Sequence, residues 1–282
     1  MTGRSKVLVA ALVVFALAIG VLIGSGPLRA GFSGNAAQAE ELEQAQANAK
    51  AAAADAKQGR EFADAASPVA VRGFLTGHTV ALVRTADATD DDVATAAAHL
   101  TDAGAEVGAK VALTDEWTVE NRGPFREALA DQITAALANS PAGETSSQVL
   151  ATALAQTLAP GIAAGDDLVG AAATERADTL WTLLTDAALV TGERTGDSDM
   201  FLLVAPGGDV TDLANAFVAT SNGTVVAFTG GTAGQAGAAT TVTNAATFYG
   251  AWAVTGAAIN AAGGLTGAYD ASDAAQLIGA AH

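Results

Sequence analysis

The most restrictive feature of the sequence is an uncharged apolar run, Val7–Ile23, which follows Arg4 and Lys6. A helix rises ~1.5 Å per residue, so with a neighbouring residue or two this run is long enough for a thin bilayer core. We therefore predict that residues 1–27 form a cytoplasmic N-terminus and a transmembrane signal anchor in contact with membrane lipid. The positive-inside rule places residues 28–282 outside the cytoplasm, although Arg29 weakens that bias.

A cleaved secretory signal peptide is the alternative interpretation of this run. Such a peptide needs an apolar stretch of about 7–15 residues and a small-residue cleavage site soon after it. The nearest Ala-x-Ala pattern, Ala37-Gln38-Ala39, lies well downstream of the apolar run. We favour the uncleaved anchor, and a mature chain that begins near Glu40 would refute it.

Small residues recur at four-residue steps on one face of the predicted span, at Ala16, Gly20 and Gly24. Small side chains at this spacing let two helices approach closely in lipid, so this face is a candidate dimer interface. The alternative is that glycine is simply common in membrane helices. A homodimer is thus one of the partner states that the sequence allows.

Residues 28–68 are predicted to form a helical stalk or a weak coiled coil. The part from Asn35 to Ala66 is rich in Ala, Gln and Glu, which are strong helix formers. Leu42 and Phe62 are its large apolar side chains, and we expect them to contact a protein partner because large apolar groups on a polar helix favour a second surface. A disordered linker is the alternative.

The charge balance restricts the partners of this chain. The net charge is −17, and neither lysine nor arginine follows Arg194. Such a surface repels phosphate backbones, which argues against nucleic-acid binding. The sequence contains no cysteine, so thiolate metal sites and cysteine nucleophiles are excluded.

The region 69–282 is predicted to be an extracytoplasmic α/β domain. A short apolar run from Thr79 to Thr85 and a second run, Glu106–Thr114, read as buried strands. Between them lies an Ala-rich helix through Leu100, which Thr89 or Asp90 would cap. Strand, helix and strand in this order predict two parallel strands joined by a βαβ crossover.

A block near 115–192 looks helical and is predicted to be an insertion or a cap over the sheet. Its predicted helices are Phe125–Ala138, Ser147–Leu158 and Glu175–Val190. Alternation of strands and helices then resumes, with Met200–Ala205 and Thr224–Thr229 as predicted strands. The predicted fold class is accordingly α/β, with a transmembrane helix, a helical stalk, and a mostly parallel sheet flanked by helices with a helical insertion.

A ligand site is expected where parallel strands end. In open parallel sheets ligands bind in the crevice at the carboxyl ends of the strands. The residues that we expect at this edge follow the predicted strands: Thr85, Asp87, Thr114, Asp115, Gly207, Gly208, Asp209, Gly230 and Gly231. The main candidates among them are Asp87, Asp115, Asp209, Gly207 and Gly208.

Several stretches resemble a known family. The segment from Ala16 to Gly26, the segment Val80–Val93 (VALVRTADATDDDV) and Gly104-Ala105-Glu106-Val107 are similar to the mycobacterial-type copper transport proteins called MctB. Relatives tend to end in a segment with glycine, histidine and tyrosine, and here Tyr269 is present without the histidine. The resemblance implies an actinobacterial envelope protein that transports copper out across the outer, mycolic-acid layer. It also extends to proteins proposed to help activate septal cell-wall hydrolases in cell division.

Copper itself is implied only by this resemblance. Copper favours thiolate, thioether and imidazole ligands, and the chain offers His78, His99, His282 and two methionines, one of which is Met1. No cofactor is evident, and no catalytic motif such as Gly-x-Ser-x-Gly appears, so we do not expect an enzyme. From the residues we favour a membrane-anchored scaffold or regulator that binds another envelope protein, with transport and efflux of copper as the function that the resemblance implies.

Overall fold

The computed structural model describes residues 69–138, 144–161 and 171–280, together with positions 45, 46, 48–51, 53, 54, 57, 59 and 60. The chain divides into two compact units, Met1–Glu61 and Phe62–His282. The described residues of the first unit are helical. The predicted anchor Val7–Ile23 lies outside the described residues. None of the helices in the described part is both long and apolar enough to span a bilayer.

The described residues of the second unit form a mixed α/β domain around a seven-stranded sheet. The strands are β1 (Thr79–Arg84), β2 (Glu106–Leu113), β3 (Val190–Arg194), β4 (Met200–Ala205), β5 (Gly223–Phe228), β6 (Thr240–Thr243) and β7 (Ala268–Asp270). The helices are α1 (Asp90–Asp102), α2 (Gly123–Thr134), α3 (Ser146–Leu158), α4 (Ala171–Asp186), α5 (Thr211–Ala219), α6 (Phe248–Ala262) and α7 (Ala274–Ala280).

The sheet is mostly parallel, as the sequence predicts. Its strand order is β3-β2-β1-β4-β5-β6-β7, and only the pair of β2 with β3 is antiparallel. Central strands such as Met200–Ala205 are buried along their whole length, because helices cover both faces of the sheet. This burial explains why they read as continuous apolar runs in the sequence.

Two hydrophobic cores lie on opposite faces of the sheet. On one face Phe201 of β4 stacks on Phe217 of α5, with ring centroids 4.3 Å apart, and α2, α3 and α4 pack around them. On the other face Leu82 and Leu202 contact α1 and α6, both rich in alanine. Small side chains let these helices lie close to the sheet, so the core is built with few aromatic residues.

The start of α1 is fixed by the residue that the sequence predicts as a cap. Thr89 accepts a hydrogen bond from the backbone N–H of Asp92, and the Asp92 carboxylate accepts one from the backbone N–H of Thr89. This reciprocal capping box satisfies two donors that a helix start leaves open. It sets the point at which the chain leaves β1 and turns towards one face of the sheet.

The predicted helix Glu175–Val190 is wrong at its C-terminal end. Helix α4 ends at Asp186, Ala188 adopts a left-handed φ of 56°, and the chain reverses into β3. Val190 then pairs with Leu113 in the antiparallel edge of the sheet. The residues after Val190 are polar, so the periodicity of the sequence does not indicate this strand.

Candidate functional site

The strand order creates a crevice at the carboxyl ends of β1 and β4. Helix α1 follows β1 onto one face of the sheet, while α5 follows β4 onto the other. The two loops therefore diverge between neighbouring strands, which is the arrangement that forms ligand crevices in doubly wound folds. A cavity of about 610 Å³ lies here, between the loops after β1, β2 and β4 and the helices α2 and α3. We call it the switch-point cavity.

The β1 side of the cavity is formed by Thr85 and Asp87. The backbone N–H of Thr85 donates to the carbonyl oxygen of Val204 at 3.0 Å, which holds the end of β1 against β4. Among the described residues the Thr85 hydroxyl is buried without a hydrogen-bond partner. Asp87, by contrast, is exposed. The β1 loop thus brings one solvated carboxylate to the cavity, while the Thr85 hydroxyl is covered by protein atoms.

The β4 side of the cavity is formed by Gly207, Gly208 and Asp209. Gly208 has a φ of 89°, a left-handed conformation that side-chain-bearing residues rarely adopt. Asp209 accepts a hydrogen bond from the backbone N–H of Thr211 at 2.9 Å, at the start of α5. The Thr211 hydroxyl, and then its backbone N–H, hold the pKa of the Asp209 carboxyl below its usual range. Asp209 therefore fixes the helix start as well as lining the cavity.

The glycine-rich loop after β5 is hydrogen-bonded to the β4 loop through its backbone. Gln235 donates its backbone N–H to the carbonyl of Gly208 at 2.9 Å, and its own carbonyl accepts from Val210 at 2.8 Å. A Cβ on Gly234 would lie 1.9 Å from the Gly208 oxygen, so only glycine allows this approach. The glycines of this loop serve backbone packing here.

The helical block after β2 covers the cavity. Trp117 and Thr118 lie in the turn after β2, and Arg126 of α2 and Ser146 and Ser147 of α3 also line the cavity. Nη1 of Arg126 donates to the carbonyl oxygens of Glu116 at 3.0 Å and Val119 at 2.8 Å, which joins α2 to the turns after β2. The guanidinium is thereby held in place at the cavity wall.

Glu144 is a further carboxylate and lies near one that lines the cavity. Glu144 precedes α3, and Asp212, which lines the cavity, lies near enough to interact with it electrostatically. Burial first, and the negative charge of Asp212 second, raise the pKa of Glu144. The cavity therefore has more carboxylates around it than cationic groups.

The structure places the predicted edge residues in two groups. Those that line the switch-point cavity are Thr85, Asp87, Thr114, Gly207, Gly208 and Asp209. Asp115, Gly230 and Gly231 do not line it. Asp115 is exposed at the first position of a 3-10 turn, and Gly231 lies beside Asn244, which directly follows β6. Whether the cavity binds a ligand stays a prediction.

Several cavity residues were not predicted from the sequence. Trp117, Arg126 and Ser146 come from the helical block, and Asp212 comes from the first turn of α5. The sequence does hold a signal for Trp117, because residues that come soon after a strand lie near the carboxyl end of that strand. The position of α2 and α3 over this edge depends on tertiary packing, which leaves no local pattern.

The two described histidines lie at the opposite end of the sheet. His78 precedes β1, and its Nδ1 lies 2.7 Å from Oδ2 of Asp199, whose Oδ1 accepts the backbone N–H of Thr79. His99 is in the last turn of α1 and packs on Trp252, with ring centroids 4.0 Å apart. No group of three histidine or acidic side chains within the described residues is placed to hold a metal ion.

The remaining predicted contacts lie outside the described residues. These are the membrane-helix face Ala16, Gly20 and Gly24, and the stalk contacts Leu42 and Phe62. The homodimer and the stalk partner stay predictions.

Comparison with known proteins gives one family. A family model described as "Copper transport outer membrane protein, MctB" matches residues 2–277, nearly the whole chain. A search of the curated proteins gave no match.

Proposed function

Because the chain belongs to the MctB family of copper transport outer membrane proteins, we propose that it is a non-enzymatic envelope protein that assists copper transport by binding another molecule. The binding site in this proposal is the switch-point cavity. The anchor Val7–Ile23 would hold the protein in the cell membrane with the α/β domain outside; the outer, mycolic-acid membrane is the alternative that the family description favours.

The observation that carries the proposal is the convergence of three loops and two helices on one cavity. Its volume of about 610 Å³ falls in the range of small-molecule sites. Polar groups converge on it from β1, β4 and the helical block, with Leu113, Leu150 and Leu213 between them. A concave, mostly preformed site with a few placed polar groups is the usual form of a binding site.

The number and positions of the side chains that copper prefers support the proposal that this protein assists copper transport without binding copper itself. Copper prefers sulfur and imidazole ligands, and this chain has no cysteine and three histidines. His78 is hydrogen-bonded to Asp199, and His99 is packed on Trp252, both away from the cavity. We propose that copper is handled by a partner, and that no resident cofactor is needed.

The location of the histidines also favours binding over catalysis. A serine nucleophile needs an adjacent base, most often a histidine. Ser146 and Ser147 line the cavity, whereas His78 and His99 lie at the amino ends of the strands. We therefore propose a binding role for these hydroxyls.

Complementation of a deletion strain tests this proposal. Asp87→Asn removes one exposed carboxylate from the cavity, and Asp131→Asn is a matched control on an exposed position of α2. We expect the Asp87→Asn variant to restore copper tolerance less well than the control at equal protein level. Equal restoration by both variants would contradict a role for the cavity.

A second candidate is a scaffold or regulator of septal cell-wall hydrolysis. It is favoured by the helical conformation of the described residues between 45 and 60, which suits a stalk that binds a helical partner. Deletion would then impair cell separation and leave copper tolerance unchanged. Copper-sensitive cells that separate normally would instead favour the transport role.

A further inference from the structure

We propose that the switch-point cavity binds a neutral, polyhydroxylated ligand of the carbohydrate class. This inference rests on the proposed function, because it assumes that the cavity is a binding site. It goes further by assigning the chemistry of the ligand from the charges, hydrogen-bonding groups and apolar surfaces of the lining.

The charges of the lining disfavour an anion. Asp87, Asp209 and Asp212 face the cavity together with Arg126, so carboxylates outnumber the guanidinium. Nη1 of Arg126 is already bound to two backbone carbonyls, which leaves less of its fork for a phosphate or carboxylate. An anion would also meet the field of a chain whose net charge is −17.

A cation is the competing class of ligand, because the carboxylates of the lining outnumber its one guanidinium. Arg126 lies on the wall of the cavity and would repel an ammonium group at short range. The Asp209 carboxylate is already hydrogen-bonded to Thr211 at the start of α5. The carboxylates can also accept hydrogen bonds from ligand hydroxyls, and titration with spermidine distinguishes a cation from a neutral ligand.

Hydroxyl groups make up the rest of the polar lining. Thr118, Ser146, Ser147 and Thr211 each carry one at the cavity. A hydroxyl both donates and accepts, and so does each hydroxyl of a sugar, so mixed donors and acceptors match a polyol at many points.

An aromatic ring and aliphatic side chains complete the match. Trp117 lines the cavity while its other contacts lie in the hydrophobic core, so the ring is held in place. The C–H faces of a sugar ring are apolar and pack on such surfaces. Carboxylates, hydroxyls and one fixed indole in a single cavity thus point to a carbohydrate.

Calorimetric titration of the full-length chain tests the inference. The protein is kept in a detergent without a sugar headgroup, and the probes are neutral disaccharides (maltose, cellobiose, trehalose and N,N′-diacetylchitobiose), inorganic phosphate and spermidine. We expect at least one disaccharide to bind and neither ion to compete with it. Loss of a hydrogen bond to a charged group predicts that Asp87→Asn weakens this binding about tenfold.

Two control pairs separate a binding effect from a folding effect. Asp131→Asn is matched to Asp87→Asn, and Trp181→Leu, which is partly buried against the same core but away from the cavity, is matched to Trp117→Leu. We expect both cavity variants to weaken disaccharide binding and both controls to bind as the wild type does. Variants that weaken binding no more than their controls would overturn the inference.

The probes also distinguish this inference from the proposed function. If phosphate or spermidine binds and is lost in the Asp87→Asn variant while no disaccharide binds, the cavity is a binding site and the carbohydrate assignment is wrong. If none of the probes binds, the carbohydrate assignment is overturned, and the proposed function then depends on the complementation result alone.

Discussion

Replacement of Gly234 by alanine is the sharpest test of how the cavity is built. A Cβ at this position would lie 1.9 Å from the carbonyl oxygen of Gly208 and 2.7 Å from Cε1 of Phe228. Ordinary contact begins at 3.4 Å, so the two loops would have to separate by about 1.5 Å. This movement would displace the β4 loop, which forms one side of the cavity.

The cost follows from the contacts that hold the two loops together. The hydrogen bonds from Gln235 to Gly208 and from Val210 to Gln235, at 2.9 Å and 2.8 Å, would be strained or lost. Each contributes about 0.5–1.5 kcal/mol. Crowding of the buried ring of Phe228 adds about 1–3 kcal/mol. We therefore expect Gly234→Ala to lower the free energy of unfolding by about 2–6 kcal/mol.

Urea denaturation followed by circular dichroism measures this effect. Gly196→Ala is the control, because a Cβ there meets nothing within 4 Å and the backbone is not left-handed. A free surface substitution of this kind changes stability by about 0.5 kcal/mol or less. A Gly234→Ala variant as stable as Gly196→Ala would refute the packing of the two loops described above.

Three further predictions concern carboxylates. Asp199→Ala removes the acceptor for His78 and for the backbone of Thr79, and we expect urea denaturation to show a loss of about 1–3 kcal/mol. Glu144→Gln should raise the melting temperature at pH 7, because the raised pKa of Glu144 makes its charged form unfavourable in the fold; the gain should vanish below the ordinary pKa of about 4.3. Asp270→Asn should lower the melting temperature at pH 7, because hydrogen bonds, first that of the Thr243 side chain, lower the pKa of Asp270. The effect of Asp270→Asn on the melting temperature should shrink as the pH falls below the ordinary aspartate pKa of about 3.9. A change in melting temperature that is the same at every pH, for Glu144→Gln or for Asp270→Asn, would contradict these pKa shifts.

The parts of the fold that the sequence predicts are those with a strong local pattern. Strands β1, β2, β4 and β5 are buried apolar runs, and Thr89 caps α1 as its position suggests. The sequence pattern does not indicate strands β3 and β7. Both are edge strands that carry polar residues such as Glu193 and Asp270, and edge strands need neither burial nor alternation.

The candidate site is predictable only in part for a related reason. Asp87 and Asp209 are expected at the carboxyl ends of the strands, because the order of strands and helices along the chain determines which loops meet there. Arg126 and Ser146 reach the same cavity through the packing of α2 and α3 on the sheet. Asp115 does not line the cavity, because the chain enters a 3-10 turn soon after β2. Such choices are decided by tertiary contacts and not by residue spacing.

In the proposed function this envelope protein binds another molecule at the switch-point cavity and does not itself carry copper. Calorimetric titration of the full-length chain with Cu(I) and with Cu(II) tests it most directly. We predict no stoichiometric site of micromolar or tighter affinity, because the described histidines are held apart from the cavity by Asp199 and Trp252. A one-to-one site at micromolar affinity or better would contradict the claim.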